Sequence, residues 1–249
     1  MALPRGLKHF TDFFNDFSND YVIIGGGAAS ACLDDEKLEF RVTKDIDMVL
    51  FTNNSPELNK KISEYVFLGK YEVNEKTENT PRYYRFSNPE DKNFPEIVEI
   101  FAKADSEIEL RKGQYIIPIQ NDAEAQLSAI LLDDEYFNLI RDNAKKSEVG
   151  FSIITPYANI CLKARAFREL KERNEEEKKI NKHRNDVLRL AQILKTGEQL
   201  KLQGRPKQDF LQIFSAVEEL EEKTIRQIVG STLSKADILD VLKKAFPLD

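Results

Sequence analysis

The sequence predicts an α+β protein, with a mixed sheet and its helices over residues 1–150 and an all-helical part over 151–249. Three observations predict this division. Short apolar segments bounded by turn residues recur through the first part, the pattern of strands. A glycine run, Gly25 to Gly27, follows the first of these segments, and a strand with alternating acids comes after it. From Thr155 onward apolar residues return at helical spacing, and no strand pattern is found before Asp249.

Residues 7–17 form an amphipathic helix with Phe10, Phe13, Phe14 and Phe17 on one side, a stripe that faces a core. Asn19 and Asp20 break it, and residues 21–24 form a short buried strand. The glycines make a turn, and a helix begins within residues 28–33. An acidic loop (Asp34, Asp35, Glu36) leads to the acid-bearing strand over 45–51. Ser55 is an N-cap with Pro56 at the first helical position, for a helix to residue 67. Strands follow at 71–74, 82–86, 97–102 and 114–119, with Pro81, Pro89 and Pro95 in the turns between. Thr155 and Pro156 start a helix to residue 171. Further helices lie at 180–194, 206–220 and 235–245, the last capped by Ser234, with Gly197, Gly204 and Gly230 at the turns. The charge-dense stretch 171–179 is a solvated connection.

A chain of 249 residues is long enough to bury a sizeable core. Its net charge of -6 makes it no general polyanion binder, so any nucleic-acid contact has to come from a local basic face. Cys32 and Cys161 are too few for a disulfide scaffold and suit a reducing compartment; neither has the neighbours of a zinc site. The N-terminus lacks the pattern of a signal peptide, and no apolar run is long enough to span a bilayer. The expectation is a soluble cytoplasmic protein with no membrane partner.

The chemistry concentrates between Tyr21 and Leu50. In a strand, Asp45 and Asp47 share one face while Ile46 and Met48 share the other. Two adjacent carboxylates repel and do not help a core; a divalent cation is their usual justification, and Mg²⁺ takes one or two carboxylates together with phosphate oxygens. A glycine turn nearby offers backbone N–H groups to the same phosphates. Glu99 lies between Val98 and Ile100, and an acid in an apolar strand is costly to bury unless paired or metal-bound. Glu96, beside Pro95, is the weaker candidate. Lys182 and Asp186 are four apart on one helix face with Arg189 nearby, the spacing of a surface ion pair. His183, among basic neighbours, is a structural or surface histidine. The dinucleotide fingerprint is not met, because Gly25–Gly27 is followed by Ala28, Ala29 and Ser30, and no P-loop lysine follows.

The glycine turn followed by Asp-x-Asp resembles the nucleotidyltransferase superfamily, the polymerase-β-like fold. With RVTKDIDMVL, the LKARAF helix and the later helical motif, the chain is similar to the AbiEii/AbiGii-type branch, the toxins of abortive-infection toxin–antitoxin pairs. The matching residues are Gly25, Gly26 and Ala28; Arg41, Thr43, Asp45 and Asp47; Lys163; and Asp186. Asn185 and Arg189 depart from the pattern, which commonly has Lys and Asp there, and the last sixty residues carry no placeable motif.

The resemblance implies that Asp45, Asp47 and Glu99 are the catalytic and metal-binding set. They would hold Mg²⁺, with two ions expected and Mn²⁺ a substitute, and Glu99 would complete the second position or act as a base. Gly25, Gly26 and Ser30 would cradle phosphates, with Thr43 supporting a carboxylate. Lys163 would neutralise triphosphate charge, while Asp186 would orient that lysine, contact the nucleotide or brace the two parts. The helical part would complete the nucleotide cleft. The implied reaction moves an NMP from an NTP to a hydroxyl acceptor, RNA or tRNA, in a toxin whose antitoxin is a DNA-binding regulator. Two alternatives stand beside it: an antibiotic-type transferase acting on a small molecule, and a non-catalytic nucleotide-binding module. The basic residues Lys163, Arg165, Arg168, Lys171 and Arg173 offer a phosphate-binding face for an RNA acceptor.

Overall fold

The computed structural model describes residues 4–38, 40–51, 55–73, 85–103, 116–119, 127–147, 150–231 and 233–247, with the backbone alone for Val73, 116–119 and 127–132. The first part runs α1 (Leu7–Phe13), a 3₁₀ turn (Asn15–Phe17), β1 (Tyr21–Ile24), α2 (Gly25–Asp35), β2 (Asp45–Leu50) and α3 (Pro56–Gly69). It continues through β3 (Glu72–Val73), β4 (Arg85–Ser87), β5 (Ile97–Lys103), β6 (Ile116–Ile119), β7 (Leu127–Leu132), α4 (Asp134–Asp142), β8 (Ala144–Lys146) and β9 (Ser152–Ile154). Five helices complete the chain: α5 (Pro156–Glu172), α6 (Glu177–Ala191), α7 (Gly204–Glu218), α8 (Glu222–Val229) and α9 (Lys235–Ala245). The fold is therefore α+β, and among the described residues no strand follows Thr155.

Among the described residues nine strands form one mixed sheet in the order β3-β4-β5-β2-β1-β9-β8, with β7 also joining β5 and β6 joining β7. β2 and β5 are parallel, whereas β1 and β2 are antiparallel. β5 carries two neighbours on one edge: β4 pairs with Ile97 to Glu99, and β7 with Phe101 to Lys103. That arrangement leaves the start of β5 beside β2, so Asp47 and Glu99 fall at the same register position.

Several expectations need correction. The glycines do not form a turn ahead of the helix; they are its first turn. Gly25 adopts φ +65°, a left-handed value open to glycine, and the chain passes from β1 into α2 with no loop between them. The first helix stops at Phe13 and continues as the 3₁₀ turn, because Asn15 and Asp16 have short polar side chains that compete with the helical ladder. β8 and β9 are three residues each, too short for a periodic pattern, whereas α4 and α8 are short helices whose apolar residues (Tyr136, Phe137 and Ile140; Ile225 and Val229) do recur at helical spacing and were missed. The expected strands at 71–74 and 114–119 contain β3 and β6, and the one at 82–86 overlaps β4, which runs on to Ser87; Asn74, Arg82 to Tyr84 and Gln114 to Tyr115 lie outside the described residues, as does the Pro81 turn. Ser55 caps α3 as expected, its side chain accepting from the Leu58 N–H.

Two apolar clusters share α2. Ala28, Ala31 and Cys32 pack into the sheet cluster, which includes Phe10, Phe14, Tyr21, Tyr65 and the inward residues of β1 and β2. Ala29 and Leu33 pack into the helical cluster with Tyr136, Ile160, Leu188 and Phe210. Both cysteines are buried and free. Among the described residues no helix is long and apolar enough to cross a membrane.

Candidate active site

β2 alternates as its sequence dictates: Ile46 and Met48 are buried, while Asp45 and Asp47 lie half-buried on the opposite face. Parallel pairing sets Glu99 beside Asp47, and the two side chains share a hydrogen bond. Burial pushes the Asp47 pKa up to about 7, with the charges of Glu99 and Asp45 adding to the effect and Lys163 opposing it. Asp47 therefore keeps its proton up to about neutral pH. Glu99 is also ion-paired to Arg85, its register partner on β4.

Lys163 reaches this pair from α5. It is buried and forms an ion pair with Asp186 at 3.3 Å. Burial and the neighbouring Arg41 lower its pKa, against the pull of Asp186 and Asp47. One turn earlier on the same face, Asn159 donates from Nδ2 to the Gly25 carbonyl at 2.9 Å, fixing α5 to the start of α2. Sequence reasoning missed Asn159; its position four residues before Lys163 was the available signal.

Gly25, Asp47, Glu99 and Lys163 meet in a cavity of about 320 Å³, whose wall also includes Phe101 and His183. Burial, with Lys163 close by, holds the His183 pKa down at about 4, so its ring is neutral at pH 7. A Cβ on Gly25 would lie 2.1 Å from Asp47 Oδ2, and one on Gly26 would lie 2.5 Å from Thr43 Oγ1. The glycines therefore let the N-terminus of α2 close on the acidic strand. Gly25→Ala is expected to fail doubly, through the positive φ and through collision with Asp47. Its melting temperature should fall by an amount equivalent to about 1–3 kcal/mol, with loss of any activity that needs Asp47.

The other expected site residues stand back from the cavity wall. Asp45 acts on Asp47 through its charge. Thr43 is buried against Gly26. Ser30 is buried in the second turn of α2, where its backbone N–H belongs to the helical ladder rather than to the free first turn.

Asp186 is fully buried and accepts a two-pronged pair of hydrogen bonds from Arg41, at 2.9 and 2.8 Å, besides pairing with Lys163 and with Arg189 at 3.6 Å. Burial works against its ionisation, but Lys163 and Arg41 outweigh it and lower its pKa. This corrects the surface pair expected between Lys182 and Asp186: Asp186 points inward, and Lys182 is exposed. The basic face expected on the first C-terminal helix is also largely spent. Arg165 pairs with Glu169 and Asp133, and Arg168 with Glu172 and Asp209.

Among the described residues, no three His, Cys, Asp or Glu side chains are gathered closely enough to hold a metal ion as they stand. The Asp47–Glu99 pair nevertheless fits a divalent cation in kind. It is an all-oxygen donor set in a partly desolvated site, and the proton that Asp47 keeps is one a cation would displace.

No family model matches the chain, and neither does any curated protein. Two solved structures are similar at low identity. One is the solution structure of the antibiotic-resistance factor ANT(2'')-Ia, at 14% identity and a TM-score of 0.43, covering 88% of this chain and 95% of that one. The other is an antigenic nucleotidyltransferase-like protein from Paracoccidioides brasiliensis, at 10% identity and a TM-score of 0.46, covering 90% and 91%.

Proposed function

We propose that this chain is a Mg²⁺-dependent nucleotidyltransferase that moves an NMP from an NTP to a hydroxyl acceptor. The observation that carries the reading is the convergence, in one cavity, of Asp47 and Glu99 from adjacent strands, Lys163 from α5 and the glycine N-terminus of α2. Carboxylates, a cation and free helical N–H groups together suit a metal-bound triphosphate.

In this reading Asp47 and Glu99, with Asp45 beside them, would hold Mg²⁺, which would supply charge neutralisation at the phosphates and the developing oxyanions. Lys163 and the first N–H groups of α2 bind the phosphates. The acceptor oxygen attacks the α-phosphorus, the new P–O bond forms, and the bond to the β-phosphate oxygen breaks to release pyrophosphate. The acceptor's proton would pass to Glu99, the acid that the resemblance offers as a base. Asp186 positions Lys163 rather than touching nucleotide, since its two oxygens are engaged by Arg41, Lys163 and Arg189. The helical residues after 150 complete the cleft by bringing Lys163 to the sheet. Resemblance supports RNA, including tRNA, as the acceptor, and a toxin role with a DNA-binding antitoxin as partner.

The test incubates purified protein with Mg²⁺, each labelled NTP and total tRNA, beside Asp45→Asn/Asp47→Asn. The expected result is label on RNA with the unmutated protein only. Metal-dependent NTP binding without labelled RNA would transfer the reading to a small-molecule acceptor, and no such binding would leave a non-catalytic module.

A further inference from the structure

The cations around Asp186 outnumber it. One buried carboxylate is shared by Lys163, which lines the cavity, and by Arg41 and Arg189, which line a second and wider groove. That groove has a volume of about 600 Å³ and is lined further by Lys178, Lys182 and Asn185, with no acidic side chain. Lys179 also lines it but is paired with Glu175 at 2.9 Å.

Residues 178, 182, 185 and 189 succeed one another at steps of four, three and four, so they form a single stripe along α6. At 1.5 Å per residue the stripe is about 16 Å long. Lys178 and Lys182 are exposed, and neither has a partner among the described residues. Of the cations that line the groove, Arg41 and Arg189 share Asp186 and leave one positive charge in excess, and these two lysines bring the local total to three. The chain as a whole carries -6, so this is a marked concentration against the background.

We propose that the α6 groove binds the phosphodiester backbone of an RNA strand. A cationic stripe of this length suits successive phosphates along a strand better than one compact triphosphate, which the cavity beside Lys163 already suits. The proposal rests on the transfer reading only in naming whose backbone this is, namely the acceptor's.

Binding is measured by fluorescence anisotropy of a labelled single-stranded RNA oligonucleotide over a range of salt concentrations, with no nucleotide and no metal present. A failure of transfer chemistry therefore leaves this measurement readable. Lys178→Ala/Lys182→Ala is expected to weaken binding by about tenfold and to flatten the salt dependence by about 1.4, or 0.7 per lost phosphate contact. The control Lys201→Ala/Lys223→Ala has the same net charge and alters exposed lysines elsewhere; it should leave both quantities unchanged. Equal affinities for the two double variants, or no binding by the unmutated protein, would overturn the proposal. Displacement of the RNA by equimolar inorganic tripolyphosphate would overturn it too, assigning the groove to a free polyphosphate.

Discussion

Asp47→Asn is expected to abolish nucleotide transfer while making the metal-free protein more stable above pH 7. The two effects have one cause. In the native state Asp47 keeps its proton up to about pH 7, because burial and the neighbouring Glu99 disfavour its charge. In the unfolded chain it releases that proton near the ordinary carboxylate value. Between those limits the native state binds more protons than the unfolded state, so stability falls as pH rises through about 4 to 7 and then levels. Asparagine carries no such cost. The variant should match the parent near pH 4 and exceed it by on the order of 4 kcal/mol at pH 8, read from thermal unfolding with chelator present. Transfer should fall by about 10³-fold or more, since several kcal/mol of charge stabilisation are lost.

Mg²⁺ supplies the complementary measurement. It should raise the melting temperature of the parent, and more at pH 8 than at pH 6, because only ionised carboxylates bind it. Asp47→Asn should lose that response. A variant that is less stable than the parent at pH 8, or that keeps the full response to Mg²⁺, would show that Asp47 is an ordinary structural acid.

Asp186→Asn has the largest expected cost to the fold. Removing its charge leaves Lys163 and parts of Arg41 and Arg189 desolvated without compensation. Breaking a buried pair in this way typically costs about 3–5 kcal/mol, which for a chain of this size lowers the melting temperature by roughly 10 °C. The sign with pH is opposite to that of Asp47. The Asp186 pKa is lowered in the folded state, so its contribution is present above the unfolded carboxylate value and lost as pH falls below about 4. The gap between variant and parent should therefore close in acid. A gap that is constant down to pH 3 would point to lost packing rather than lost charge.

What the sequence made legible follows the range of the forces involved. Asp45, Asp47 and Glu99 could be placed because strand alternation is a two-residue rule, and each acid contrasts with apolar neighbours. The N-caps at Ser55, Thr155 and Ser234 were visible for the same local reason. Arg41 with Asp186 spans 145 residues and Asn159 with Gly25 spans 134, so no local pattern announces either bond. Lys182 and Asp186 show the opposite failure: the spacing was right for a pair, but burial of one partner and exposure of the other decided the outcome. The backbone of Gly25 could not be read either, because its left-handed φ and the close approach of Asp47 to it depend on how β1 and β2 are brought together.

The pairing of β9 with β1 has a consequence for how the chain acquires its structure. Ile153 is the register partner of Ile23, and this parallel contact closes the open side of β1. Until residues 152–154 are available, β1 has β2 on one side and bare amide and carbonyl groups on the other, the form of edge that invites pairing with another molecule. A nascent chain therefore holds its sheet incomplete until the α5 segment begins to emerge. Truncation at residue 150 would keep the acidic strands but remove the strand that covers the edge of β1.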